Sequence, residues 1–343
     1  MSAAGWVDGA LEERLRSVTS ADSEEGRSLA QALRDASAGG KRFRPALVAS
    51  AHHGLAGRRP DAVPVVGAAV ELLHTAFVVH DDVIDGDTTR RGRPTVPASF
   101  HAAASRNGAD PRAAHTYGLA GAVLTGDLAL SAAIRAVATA PAPRAVVERM
   151  LDLVDHAIAV TATGELADVR FATHTDWPSL TEVLSAEERK TAVYSFALPL
   201  QLGAVLADAD DECVNALADV GRHLGLAFQL RDDLLGVFGD EQVTGKSTLS
   251  DLREGKVTVL AVHARRTPEW AEIEPHWGEP DLTEERAVVV RRALERAGSR
   301  AHVEAMVEEY VGTAADGAAR LGLPAELVQW LSALCVPAAT GAA

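Results

Sequence analysis

Cysteine is nearly absent: Cys213 and Cys335 are the only two in 343 residues, far apart and in no CxxC pair. Thiol-pair chemistry is therefore excluded, and with no signal peptide a reduced, cytoplasmic setting is the expectation. Aromatic residues reach only 4% while alanine abounds, which favours helices over sheets. Net positive charge is missing too. At a formal −15 the chain is a poor general binder of nucleic acid, so an anion site has to be a local basic patch. The longest apolar stretch, Ala62 to Val79, is broken by Glu71 and His74. It reads as a buried core helix, with no transmembrane segment expected.

Lysine is scarce as well. Of 33 basic residues only Lys41, Lys190, Lys246 and Lys256 are lysine, three of them preceded by glycine (Gly40, Gly245, Gly255). A bias toward arginine explains this, and so does a need at those places for a compact, swinging ammonium as a phosphate point charge. The residues alone leave both open.

What is present is helical periodicity almost throughout; 47% of residues are hydrophobic, ample for a core. The pattern predicts helices over 10–36, 45–53, 63–85, 113–139, 143–171, 179–207 and 211–238. A polar loop follows over 239–255, then helices over 256–266, 283–297, 300–321 and 324–335. Residues 86–97, rich in Gly, Pro and Thr, read as a loop, and Thr267 to Asp281, with three prolines, as a short linker. One all-α domain, a helical bundle over 1–343, is the expected architecture.

Chemistry concentrates in His80-Asp-Asp-Val-Ile-Asp-Gly-Asp-Thr-Thr-Arg-Arg-Gly-Arg93. Asp81, Asp82 and Asp85 end a helix, with Asp81 and Asp85 on one face and His74 two turns earlier on nearly the same face. Carboxylates there oppose the helix dipole unless a cation offsets them. Arg90 and Arg91, which bind anions, follow at once. A magnesium diphosphate satisfies both: cation on the aspartates, phosphate oxygens on the arginines. The alternative is an acidic helix end that merely faces solvent. A second pair, Asp232-Asp233, sits in an otherwise apolar segment with Gln229 one turn before it. Buried paired carboxylates need a metal or basic partners. Two such helices facing each other are expected to hold magnesium with its waters and phosphate oxygens. Gly39-Gly40-Lys41-Arg42-Phe43-Arg44-Pro45 opens a helix, where free backbone N–H groups favour anions. Thr244-Gly245-Lys246-Ser247 looks like the end of a nucleotide-binding loop. Position 240 is aspartate where that motif needs glycine, and no strand precedes it, so the nucleotide reading is rejected.

From about Gly39 to Ala264 the chain resembles the trans-isoprenyl diphosphate synthases of the polyprenyl synthetase family. The resemblance rests on Gly40-Lys41-x-x-Arg44-Pro45, Asp81-Asp82-x-x-Asp85 with Arg90-Arg91-Gly92, Lys190-Thr191, Phe228-Gln229-x-x-Asp232-Asp233, Lys246 and Lys256. All four lysines fall on family positions. The resemblance implies an isoprenoid synthase bundle with a central active-site cavity, assembled as a homodimer. It implies three Mg2+ ions on Asp81, Asp85 and Asp232, with Asp82 and Asp233 as further candidate metal ligands. It assigns Arg90, Lys190 and Lys246 to the allylic diphosphate, and Lys41, Arg44, His74 and Arg91 to isopentenyl diphosphate. Thr191 and Gln229 are to line the reaction centre, and Lys256 to close it. Gly164-Glu165-x-x-Asp168 is similar to a family motif that has glutamine at the Glu165 position. The third aspartate of the second motif is missing; Asp240 and Asp251 are available to stand in. The C-terminal Val336 to Ala343 has no basic residue, unlike the basic tail of some members.

The chemistry agrees with this resemblance. Charge building on the departing diphosphate has to be neutralised for the allylic C–O bond to ionise, and the cation must be kept from water. Product length is expected to be set beneath the aspartates by Phe77, about 6 Å down the helix axis, with Ala76 and Leu73. One bulky and one small residue there resemble a twenty-carbon, geranylgeranyl, pattern; farnesyl diphosphate is the alternative. A class I terpene cyclase has no need of Lys41, Arg44, His74 and Arg91, and a non-catalytic partner subunit is expected to have lost aspartates or lysines.

Overall fold

A computed structural model describes residues 5–18, 22–90, 92–173, 177–239 and 248–335. The expected all-α architecture is found, in two compact units: Met1–Val154 with Pro199–Asp210, and Asp155–Leu198 with Asp211–Ala343.

The first unit is built from α1 (Gly5–Val18), α2 (Glu24–Ser37), α3 (Phe43–Gly54), α4 (Ala62–Ile84), α5 (Val96–Arg106) and α6 (Pro111–Ala138). It also takes in the start of α7 (Arg144–Ala172) and nearly all of α9 (Leu198–Leu206). The helix expected over 10–36 is in fact two, because Ser23 accepts from the Gly26 N–H and starts a new one. Helix α5, absent from the expectation, is nucleated by Thr95, whose hydroxyl accepts from Ala98 N while Pro97 fills the first turn. Before it, Thr89–Arg90 pairs antiparallel with Arg93–Pro94 in a minimal hairpin.

Helix α4 is the axis of this unit, and Val66, Leu72, Leu73, Ala76 and Val79 on it are buried. Two described helices, α4 and α6, are long and apolar enough to cross a membrane. The most apolar window of α4 is 72% buried in the protein, as a core helix requires, against 44% for α6. Two glycines let neighbours approach α4. A Cβ on Gly67 would lie 3.1 Å from Trp6 of α1, and one on Gly126 of α6 would lie 2.2 Å from the His80 ring.

The second unit comprises the rest of α7, α8 (Leu180–Glu187), a π-helical segment Glu188–Ala197, and α10 (Asp211–Phe238). Short helices α11 (Ser250–Glu254), α12 (Val259–Ala264) and α13 (Trp270–Ile273) follow, then α14 (Glu284–Arg296), α15 (Ser299–Arg320) and α16 (Ala325–Cys335). Single helices were expected over 179–207 and 256–266; the first is interrupted by the wide π turns and the second shrinks to α12. Glycines again decide the packing. A Cβ on Gly164 of α7 would sit 2.3 Å from Lys190 N, one on Gly225 of α10 2.4 Å from Ala192 Cα, and one on Gly221 2.4 Å from Ala197 Cα. Helices α7 and α10 therefore touch the backbone of the π segment directly.

Candidate active site

In the first unit the charge of the acidic helix end is partly offset by its own hairpin. Arg90 Nε donates to Asp82 Oδ1 at 2.5 Å, and its Nη2 to Asp81 Oδ2 at 3.0 Å and Asp87 Oδ2 at 3.1 Å. The two neighbouring aspartates differ. Asp82 is buried, in a stripe with Thr75 and Val79, whereas Asp81 is partly exposed and Asp85 exposed. Burial pushes the Asp82 carboxyl up to about 6 even though Arg90 opposes the shift. Burial likewise works against the Arg90 charge, but Asp82, Asp81 and Asp87 outweigh it and hold the guanidinium above its ordinary range. Asp81 and Asp85, i and i+4, give an oxygen-only donor pair of the kind magnesium takes. Arg91 lies outside the described residues.

Further down α4, Phe77 and His74 are partly exposed, while Ala76 and Leu73 are wholly enclosed. Of the three candidate product-length residues only Phe77 keeps surface of its own. Lys41 is exposed; Arg44 is buried, its guanidinium carbon 4.4 Å from the centre of the Phe43 ring.

In the second unit a chain of contacts joins most of the sequence-predicted residues. Lys190 Nζ donates to Asp168 Oδ2 at 2.7 Å and Glu165 Oε1 at 3.1 Å. Thr191 Oγ1 donates to Gln229 Oε1 at 3.1 Å; Gln229 Nε2 donates to Asp233 Oδ1 at 3.1 Å, and Lys256 Nζ to the same oxygen at 3.0 Å. Asp233 belongs to a buried stripe with Leu226, Leu230 and Val237, while Asp232 is partly exposed. The aspartate pair thus divides as Asp81 and Asp82 do: one engaged inside, one toward the surface. Lys246 and Asp240 lie outside the described residues.

One acidic member was missed by sequence reasoning. Glu187, directly before the π segment, meets Asp233, and Glu187 Oε2 and Asp233 Oδ2 are buried with no donor among the described residues. Two carboxylates in contact are reconciled by a shared proton or by a neighbouring cation. Burial, then Asp233, pushes Glu187 well above the usual carboxylate range; burial raises Asp233 also, against the pull of Lys256. At Lys256 the balance is reversed: burial disfavours its charge, but Asp233 and Asp251 outweigh it and hold the ammonium well above its ordinary value. Both directions follow from one ammonium among several carboxylates. Asp251, named above as available in place of the missing aspartate, lies close by: a Cβ on Gly236 would lie 2.2 Å from its Oδ2, so its carboxylate rests against α10 one turn beyond Asp232. No spacing rule points to Glu187, which reads as an ordinary polar helix residue.

A model of the polyprenyl synthetase family matches residues 27–294. The chain is 36% identical over 226 residues to a geranylgeranyl diphosphate synthase of Sulfolobus acidocaldarius, a match spanning 65% of this chain and 62% of that protein. It is also 36% identical over 293 residues to a (2E,6E)-farnesyl diphosphate synthase of Mycobacterium bovis, spanning 83% of this chain and 75% of that one. Among solved structures, a geranylgeranyl pyrophosphate synthase of Corynebacterium glutamicum, complexed with isoprenyl diphosphate and magnesium, is similar with a TM-score of 0.86. Identity there is 28% over 96% of each chain.

Proposed function

This chain belongs to the polyprenyl synthetase family, a family of prenyltransferases with the all-α isoprenoid synthase fold, and on that premise we propose that it is a short-chain trans-prenyl diphosphate synthase making geranylgeranyl diphosphate. Both compact units serve one polyprenyl synthetase domain in this reading, since the family match runs through both. The observation that carries it is the repeated pairing of a helix-borne aspartate pair with its own cation: Asp81 and Asp82 with Arg90, Asp233 with Lys256.

By the family resemblance Asp81, Asp85 and Asp232 are the residues that would hold magnesium, which would supply positive charge against the diphosphate. Asp82 and Asp233 serve instead to fix Arg90 and Lys256. Arg90, Lys190 and Lys246 take the allylic diphosphate; Lys41, Arg44, His74 and Arg91 take isopentenyl diphosphate. The allylic C–O bond breaks with its electron pair leaving on diphosphate. The isopentenyl double bond attacks the allylic carbon to form the new C–C bond, and the proton released there goes to the departed diphosphate. Thr191 and Gln229, locked to each other, present fixed dipoles beside this chemistry. A glutamate at position 165 makes the Lys190 contact a full ion pair, so ligand has to compete for that ammonium.

The geranylgeranyl assignment rests on Phe77 as the bulky, partly exposed member of the three product-length candidates below Asp81. Phe77→Ala is expected to shift products to longer chains, read by chromatography of the dephosphorylated alcohols. An unchanged product profile would remove Phe77 from the ruler, and a fifteen-carbon main product of the native enzyme would favour the farnesyl reading. The decisive assay incubates pure protein with magnesium, dimethylallyl and isopentenyl diphosphates. Linear prenyl diphosphates support the proposal; cyclic hydrocarbon from geranylgeranyl diphosphate alone sinks it.

The assembly is a homodimer through α6, on which exposed Tyr117 and Leu124, seven residues apart, share one side with exposed Val123 flanking it. The setting is cytoplasmic, consistent with Cys213 as a free thiol. Leu124→Glu is expected to halve the mass seen by light scattering, and an unchanged mass would place any dimer contact elsewhere.

A further inference from the structure

Between α2 and α3 the backbone turns through Gly39, Gly40 and Arg42 with φ of 75°, 82° and 51°. Glycine adopts this region freely; arginine does so at a cost of about 1 kcal/mol or more. Something must hold Arg42 there, and its own side chain does. Its guanidinium donates to Glu71 Oε2 at 2.7 Å, to Asp8 Oδ1 at 3.1 Å and to the Ser37 carbonyl at 3.0 Å. The Arg42 and Glu71 side chains are 9% and 7% exposed, so the pair is shut away from solvent. One buried cation thereby ties α1, the end of α2 and the middle of α4 to a single loop. A neutral strut runs beside it: Ser37 Oγ lies 3.3 Å from Thr75 Oγ1, and Thr75 donates to the Glu71 carbonyl at 2.9 Å.

The residues on either side of Arg42 face a different fate. Lys41 is exposed, and Arg44 enters the first turn of α3. Turning Arg42 inward in the left-handed region is what directs Lys41 outward and sets where α3 begins. Glu71, the anchor, stands one turn before His74 on α4, so the same helix carries His74 and fixes the loop that bears Lys41. We propose that Glu71 and Arg42 are positioning residues for isopentenyl diphosphate: their buried ion pair sets Lys41 and Arg44 in register with His74 without touching the substrate. This rests on the reading above, in which those three residues take that diphosphate.

A pair of this kind is expected to show in one substrate only. Glu71→Gln keeps the volume and one acceptor but leaves the buried Arg42 charge with only half-exposed Asp8 as its counter-ion. The KM for isopentenyl diphosphate should rise about tenfold or more, with the KM for the allylic diphosphate and kcat within about twofold of wild type. Asp8→Asn guards against a misfolded first variant, because Asp8 is half exposed and its loss only loosens Arg42. It should raise the same KM by a smaller factor, about twofold to fourfold. Calorimetric titration with isopentenyl diphosphate should give dissociation constants rising in the same order. Glu71→Asp, which restores the charge, should recover part of the loss; a merely structural role would not give recovery confined to one substrate. An unchanged isopentenyl KM in both variants, or an equal rise for both substrates, overturns the inference. If the native protein neither binds nor consumes isopentenyl diphosphate, the functional reading fails first and takes the inference with it.

Discussion

Asp81→Ala is expected to lower kcat/KM by about a thousandfold or more while leaving helix content intact. The loss falls on chemistry because Asp81 is one half of the oxygen pair assigned to magnesium, and a single remaining carboxylate on that face binds the ion weakly. The fold is spared for local reasons. Asp81 is partly exposed, and Arg90 keeps Asp82 and Asp87 as partners when it is removed. A carboxylate in the last turn of a helix opposes the dipole, so its loss there is nearly neutral, within about 0.5 kcal/mol. Far-UV circular dichroism and a melting curve check the second half of the prediction, and turnover at saturating magnesium the first. Activity within tenfold of wild type would refute the metal assignment.

Lys256→Met is expected to damage stability as well as turnover, because it removes the ammonium from a cluster containing Asp233 and Glu187. Breaking such a pair from one side costs roughly 3–5 kcal/mol when fully buried. The Lys256 side chain is 33% exposed, which puts the expectation lower, at about 2–3 kcal/mol. The pH dependence carries the sharper signature. Asp233 and Glu187 have raised carboxyl values in the folded chain, so their contribution to stability is present at low pH and lost as pH rises through those values. In the native protein Lys256 offsets that loss. Its own raised value makes its contribution persist below the usual lysine range and fade only as pH climbs above it. Urea denaturation of both proteins should therefore show a gap that widens as pH rises above the ordinary carboxylate range. A gap that does not change with pH would mean that Lys256 does not offset the Asp233 and Glu187 charges.

Much of this was legible in the sequence. The long apolar helix ending at Ile84 and the helix from Asp211 to Phe238 stand where their periodicity placed them. The division of each aspartate pair could also be read from the same pattern: Asp82 continues the apolar spacing of Thr75 and Val79, and Asp233 that of Leu226 and Leu230. What periodicity does not carry is local backbone geometry. The break before Glu24 depends on one serine cap, and the start at Val96 on one threonine. The π segment changes the hydrogen-bonding register with no change in composition. Glu187 and Arg42 escaped notice because burial of a charge depends on partners far off in the chain. Glu187 finds Asp233 46 positions away, and Arg42 finds Glu71 29 positions away.

The π segment has a consequence for descent. Ten residues wound wider than an α-helix hold Lys190 and Thr191 at a rotation that ordinary winding would not give. A heritable loss of one codon between Ala192 and Ala197 would let the segment close to α, which makes nearly the same turn with one residue fewer, and would change which atoms the segment presents to α7 and α10. Gly164 and Gly225, shaped to the present backbone, would then face the wrong atoms. Point substitutions along this segment are small steps from which a lineage can return. A single-residue deletion demands that two other helices change at once, so its length should be among the most slowly drifting features of the gene.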